Sequence, residues 1–575
     1  MDIKYCGHKV FFCCTLLFLV TAAFFVSHVS AGIYTSTKHG TSADRSVVTP
    51  GFIYTTLGHC GQCHEQHASI EDAEMTPPAA QGPSLYALFE DNFGASSNEL
   101  CYSCHETFTI SGMTLGYGQY GIYQGKTRYD ASVHNTSSNM VWGLDSQPDS
   151  IPPGPPYDDA GNCHNCHNPH GYDDGSGTTP IPSMLFAKDS QTGDSPAYEM
   201  GCEACHDGTQ AIEDVQTQLG KTYAHPTHTY NNRHSLPETG QPGGSDFGPA
   251  ATDRHAECVD CHNPHTVGNT VHTAPGNSIA SSSPLYGTWG VEPSSWPSLW
   301  TQPTTFTALK PPTASPNDMA QKEYQICFKC HSYYGLGAQA TPVSAITGPS
   351  GSPITDQAWE FNRNNKAAHP VVVSLNNQTG SYAPKALADA QLKTPWAAAP
   401  GAGNQTMYCS DCHGADDEGT SAKGPHGSSR KYMLKGTGQY WPTKPDGSLW
   451  RLDTTDGQDS DLFCNNCHPV YDGSDWQNEA HARHTSRSYD YGDGNGNANY
   501  PCVGCHTAIP HGSRRSRFIV YRSEPAPYTY RSGGINYGLM DGFYKVAFPF
   551  DYTGDDECNN VSTCDAHQAT IGIDP

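Results

Sequence analysis

Basic side chains are scarce in this 575-residue chain: 31 Lys and Arg stand against 57 Asp and Glu, a formal charge of −26. So acidic a surface makes nucleic acid and anionic lipid poor partners. Apolar residues are also few, at 36%, while Gly and Pro number 58 and 43. Long helices and broad sheets are not expected from such a composition. Past residue 31 no run is apolar enough to span a bilayer. Methionine occurs only ten times, and Met75, Met113 and Met200 sit in no repeated context.

Cysteine, by contrast, is abundant, with 23 copies, and 18 of them fall in nine Cys-x-x-Cys-His motifs. These are Cys60–Cys63–His64, Cys101–Cys104–His105, Cys163–Cys166–His167, Cys202–Cys205–His206 and Cys258–Cys261–His262. The series continues with Cys327–Cys330–His331, Cys409–Cys412–His413, Cys464–Cys467–His468 and Cys502–Cys505–His506. Zinc uses paired Cys-x-x-Cys but has no need of a His after every second cysteine. The motif is instead the attachment site of c-type haem: two thioether bonds hold the porphyrin edge and the adjacent His ligates iron from one face. Nine covalently bound haems are therefore expected, numbered below in chain order.

The N-terminus reads as a secretory signal over residues 1–31, with Lys4 and Lys9, an apolar run from Val10 to Val26, and small residues before Gly32. The alternative is an uncleaved anchor, since the run approaches spanning length. Cleavage removes Cys6, Cys13 and Cys14 and leaves 544 residues for nine haems. That is too little chain for a separate core around each. The expected fold is loop-rich, with short helices and few short strands, wrapped around a chain of haems that supply much of the apolar interior. Export permits a disulfide between Cys558 and Cys564; a decayed tenth haem site is the alternative reading of Cys558…Cys564–His567.

Successive first cysteines are 41, 62, 39, 56, 69, 82, 55 and 38 residues apart. Haems 1, 3 and 5 carry a further His three residues after the motif (His67, His170, His265), and haems 2, 4 and 6 do not. Residues 32–334 thus read as three two-haem units. Residues 335–400, rich in Gly, Ala and Pro, read as a linker, 401–515 as the segment of haems 7–9, and 516–575 as an aromatic-rich tail in which Arg517–Arg522 could form a short strand.

Apart from nine motif histidines and two in the leader, 18 of the 29 histidines remain, twice what nine irons need. Every iron can therefore be closed by a second His. His67, His170 and His265 lie beside their own haems and are expected to serve neighbouring irons. His426 and His511, each in Pro-His-Gly-Ser, are presented from tight turns. His134 is expected to serve between haems 2 and 3, and His369 between haems 6 and 7. His225 and His484 are chosen from clusters that also hold His228, His234 and His481. His255 lies beside haem 5, and His39 is assigned to haem 1 or 2 or to a neighbouring subunit.

The segments His59–Ser69 and Arg254–His265, with the two Pro-His-Gly-Ser stretches, make residues 36–515 similar to the outer-surface multihaem c-type cytochromes of metal-respiring bacteria. That resemblance implies an extracellular or outer-surface location, with the periplasm as alternative. It also implies redox proteins or extracellular acceptors as partners, and self-association into filaments in which His39 could be the donated ligand. The closed irons favour an electron carrier without substrate chemistry. Two alternatives remain: a multihaem oxidoreductase with one open haem, although no Cys-x-x-Cys-Lys occurs, and a conduit subunit held in an outer-membrane barrel.

Overall fold

The computed structural model describes residues 129–136, 211–228, 254–309, 319–377, 387–470 and 498–540, less a few internal positions. It adds isolated residues and short strands elsewhere. The first haem motif, most of the second, the leader run, His39, His67, His170, His484, Cys558 and Cys564 lie outside the described residues.

Among the described residues, six motifs are built as a single turn and the sixth in the chain ends a longer helix. The N–H of the motif His donates to the carbonyl of the first Cys at 2.9–3.0 Å for His167, His206, His262, His413, His468 and His506. An i to i+4 bond over the spacing i, i+3, i+4 sets both thiols and the imidazole on one side of the turn. An aspartate between the cysteines closes two of these turns at the front. Asp260 Oδ2 accepts from the Glu257 N–H and Asp411 Oδ2 from the Tyr408 N–H, both at 2.8 Å.

Elements are short throughout. Glu323–His331 is nine residues and carries the sixth motif. Gln325 Oε1 caps it by accepting from the Gln321 and Lys322 N–H groups. Ser332 ends it and starts Tyr333–Leu336 by accepting from the Tyr334 N–H. The assigned sheets are two-stranded and antiparallel; six have two residues a side, and two of these six join segments distant in sequence. The largest apolar cluster joins Trp289, Val291, Tyr324, Phe328, Tyr334, Ala358, Phe361, Val371, Trp396 and Met407. Cys330, Cys409, Cys412 and Cys467 pack against it, so the core runs directly into the cysteines of motifs six, seven and eight.

Two sequence expectations change. Residues 335–400 are not a linker: Trp359 and Phe361 are core, and Glu360 and Asn362 are fully buried. The stretch looks polar because its buried polar groups hold main chain. Asn362 Nδ2 reaches the carbonyls of Pro297, Ser298 and Thr301, and Asn365 Nδ2 those of Trp359 and Glu360. Arg517–Arg522 is not a regular strand either. Ser516–Phe518 is a tight turn with Arg517 and Phe518 at φ 58° and 57°, after which Ile519 bridges to His506.

Asp356 caps Gln357–Glu360, accepting from the Trp359 N–H at 3.0 Å and from Gln302 Nε2 at 2.7 Å. Burial pushes its carboxyl up to about 7, against the lowering effect of those two bonds. The folded state therefore holds the proton more tightly than the unfolded chain does. Stability is highest below the unfolded value and falls as pH rises towards 7, by about 4 kcal/mol at most. Asp356→Asn keeps a capping side chain and is expected to flatten this dependence, gaining stability at pH 8 and little at pH 4, as read from denaturant unfolding at the two pH values.

Candidate metal centres

Seven motif histidines each face a second imidazole. His167 faces His265 at 6.0 Å between ring centres, His206 faces His134 at 6.2 Å, and His262 faces His426 at 6.0 Å. His331 faces His225 at 6.3 Å, His413 faces His511 at 5.9 Å, His468 faces His369 at 6.4 Å, and His506 faces His481 at 6.0 Å. Imidazoles in direct contact would stack far closer, as His234 and His255 do at 4.1 Å. A metal–nitrogen bond of about 2 Å plus about 1.1 Å from nitrogen to ring centre puts two trans imidazoles about 6.2 Å apart. The seven pairs match the span that one iron between two histidines requires.

The protonation pattern agrees. Nδ1 lies against a main-chain carbonyl in His134 (Pro264, 2.8 Å), His206 (Glu213, 3.3 Å), His225 (Pro425, 2.6 Å) and His262 (Pro284, 3.0 Å). The same holds for His369 (Pro510, 2.6 Å), His413 (Tyr432, 2.7 Å), His468 (Gln391, 3.4 Å) and His506 (Arg517, 3.0 Å). A carbonyl only accepts, so Nδ1 carries the proton and Nε2 keeps its lone pair for metal. Burial, reinforced by neighbouring imidazoles, pushes His331 and His426 down to about 3 and His413 and His468 to about 4. The rings are therefore neutral, as ligands must be.

The second histidines are delivered in linked twos. His225 follows Tyr223–Ala224, which pairs antiparallel with Gly427–Ser428, and the His225 N–H donates to the His426 carbonyl at 3.1 Å. His369 follows Ala367–Ala368, which pairs with Gly512–Ser513, and its N–H donates to the His511 carbonyl at 3.1 Å. In both clips Nδ1 of the first His donates to the carbonyl of the proline preceding the second. His134 repeats this with Pro264–His265. The clips thus bring second histidines to motifs three and four, five and six, and seven and eight in turn, and this order continues across residues 335–400.

Glycine in the clip serves close approach. A Cβ on Gly427 would lie 1.9 Å from the Gln218 carbonyl oxygen, and one on Gly512 would lie 1.6 Å from that of Glu360. Neither residue has a positive φ, so the sharp chain exit expected from the sequence is not the reason. Beyond each clip the chain makes one further shared turn. Tyr432 and Met433, like Arg517 and Phe518, hold positive φ. The carbonyls of Tyr432 and Arg517 then receive Nδ1–H of His413 and His506. Each ten-residue stretch thus steadies its own motif His while sending a second His to the motif two places earlier.

The structure places four of these histidines more closely than the sequence reading. His134 and His369, from the gaps after motifs two and six, face His206 and His468 of motifs four and eight. His265 faces His167 of motif three and not the His of its own motif. His481, one helical turn before His484, faces His506. His255 stacks on buried His234, with Glu257 Oε1 3.4 Å away.

Adjacent motifs also touch. The thiol of Cys101 lies beside that of Cys163, and the Cys327 and Cys409 sulfurs lie within 4.8 Å of each other. Cys166 lies by Cys202 and Cys205, Cys261 by Cys327, Cys412 by Cys467, and Cys502 by Cys464. His206 lies close enough to His262 to bias its charge. Motifs two to nine therefore follow one another in space in chain order. No family model, curated protein or solved structure matches the chain. Among the described residues no helix is long and apolar enough to cross a membrane.

Proposed function

We propose that this chain is an exported nine-haem c-type cytochrome that carries electrons along a row of bis-histidine haems to extracellular acceptors or redox partners. The observation that carries the reading is the set of seven facing histidine pairs, 5.9–6.4 Å between ring centres, each containing one motif His. When bound, haem iron supplies a one-electron couple. The protein's part would be to orient the ligating imidazoles, eight of them through carbonyl acceptors at Nδ1 and His511 through the Glu360 carboxylate, to keep them neutral by burial, and to keep consecutive motifs adjacent. A haem held at any of the seven pairs would meet a histidine on each face and leave none for a substrate, which favours a carrier over an oxidoreductase.

The test is a haem count joined to a spin state. Protein matured with its haems is expected to carry nine by mass and pyridine haemochrome, with an entirely low-spin ferric EPR spectrum and no rapid binding of cyanide or nitric oxide. A stoichiometric high-spin signal that binds nitric oxide would overturn the pure-carrier reading.

A further inference from the structure

His511 differs from the eight ligands whose Nδ1 meets a peptide carbonyl. Its Nδ1 lies 2.7 Å from Glu360 Oε2, a side-chain carboxylate with no solvent exposure. The other carboxylate oxygen, Oε1, accepts from the Tyr528 hydroxyl. Glu360 is held in place by its own main chain: its carbonyl oxygen receives Asn365 Nδ2 at 2.8 Å and lies against Gly512. Tyr528 is itself buried, and its hydroxyl is raised well above the usual phenol range by burial and then by the Glu360 charge, so it stays a neutral donor.

Resting on the electron-carrier reading, we infer that Glu360 is a positioning residue that lowers the potential of the haem of Cys409, Cys412 and His413 below those of its two neighbours in the row. A carboxylate draws the Nδ1 proton far more strongly than a peptide carbonyl does. The imidazole gains imidazolate character and becomes a stronger donor at Nε2. A stronger donor favours ferric over ferrous iron, and a buried negative charge nearby acts in the same direction because little water screens it. Tyr528 works against this by sharing the carboxylate's charge. This local low step therefore falls between haems 6 and 8, within the row and not at an end.

The test is a spectroelectrochemical titration of the nine-haem protein with Glu360→Gln and Tyr528→Phe. Glutamine can still accept from Nδ1 but carries no charge. Glu360→Gln is expected to keep nine low-spin haems while one ninth of the Soret amplitude moves to higher potential by at least tenfold in its equilibrium constant, 59 mV for one electron. Tyr528→Phe is expected to move the same component the opposite way. A titration curve unchanged by Glu360→Gln overturns the inference, as does a shift of the same sign in both variants. Loss of the low-spin signal from one haem in Glu360→Gln also overturns it, since Glu360 would then only hold His511 in place. Failure of the function reading would show separately, in the haem count and spin state of the unsubstituted protein.

Discussion

Gly512→Ala is expected to uncouple two haems at once, those of His413 and His468, leaving seven of nine low-spin. The added Cβ would fall 1.6 Å from the Glu360 carbonyl oxygen, a main-chain atom that cannot rotate away as a side chain could. Relief requires the Gly512–Ser513 strand to leave Ala367–Ala368, and that pairing aligns His511 with His369. The cost should exceed about 3 kcal/mol, the upper part of the range for overpacking a filled interior. Gly427→Ala repeats the experiment at the other clip, where a Cβ would lie 1.9 Å from the Gln218 carbonyl oxygen. It is expected to open the haems of His262 and His331 instead. Gly220→Ala is the control, with φ −72° and nearest atoms at 3.6 Å. EPR spin counting and thermal unfolding read all three. Gly512→Ala protein with nine low-spin haems and an unshifted melting temperature would show that the clip does not hold the ligands.

The paired failure predicted for Gly512→Ala also explains which parts of the site could be read in advance. Motif cysteines and histidines are legible because the covalent attachment proposed for them would fix their spacing within one turn. The second ligands depend on which distant segments pair. His225 meets Pro425 across 200 residues, and His134 meets Pro264 across 130. His481 and His484 share composition and neighbourhood, and only the path of the chain decides which faces His506. The two Pro-His-Gly-Ser stretches were visible as candidates, but the force on their glycines comes from Gln218 and Glu360, far away in sequence. Residues 335–400 were misread for a related reason. Asp356, Asn362 and Asn365 are polar yet buried, since each satisfies main-chain groups.

His170→Ala and His39→Ala are each expected to leave one haem high-spin, while His67→Ala leaves all nine low-spin. The expectation follows from the order of the clips. In each, a Pro-His following motif five, seven or nine faces the motif two places earlier: His265 to haem 3, His426 to haem 5, His511 to haem 7. The partner His lies between the motifs two and one places before the haem it faces: His134 for haem 4, His225 for haem 6, His369 for haem 8. One further Pro-His occurs in the sequence, Pro169–His170, directly after motif three. Moved back by one clip, the rule assigns His170 to the haem of His64. To the haem of His105 it assigns one of the two histidines between residue 31 and Cys60, His39 or His59; His59 abuts Cys60 of the first motif, which leaves His39. His67 has no preceding proline, and no motif of this sequence stands two places before its own. Although His67, His170 and His265 share one spacing, the clip order thus separates the first from the other two. The three variants, each checked for nine attached haems by mass, are compared by EPR and cyanide binding. A high-spin haem in His67→Ala, or none in His170→Ala, would break the translation by two haems. The missing ligands would then have to be sought among the remaining histidines outside the motifs.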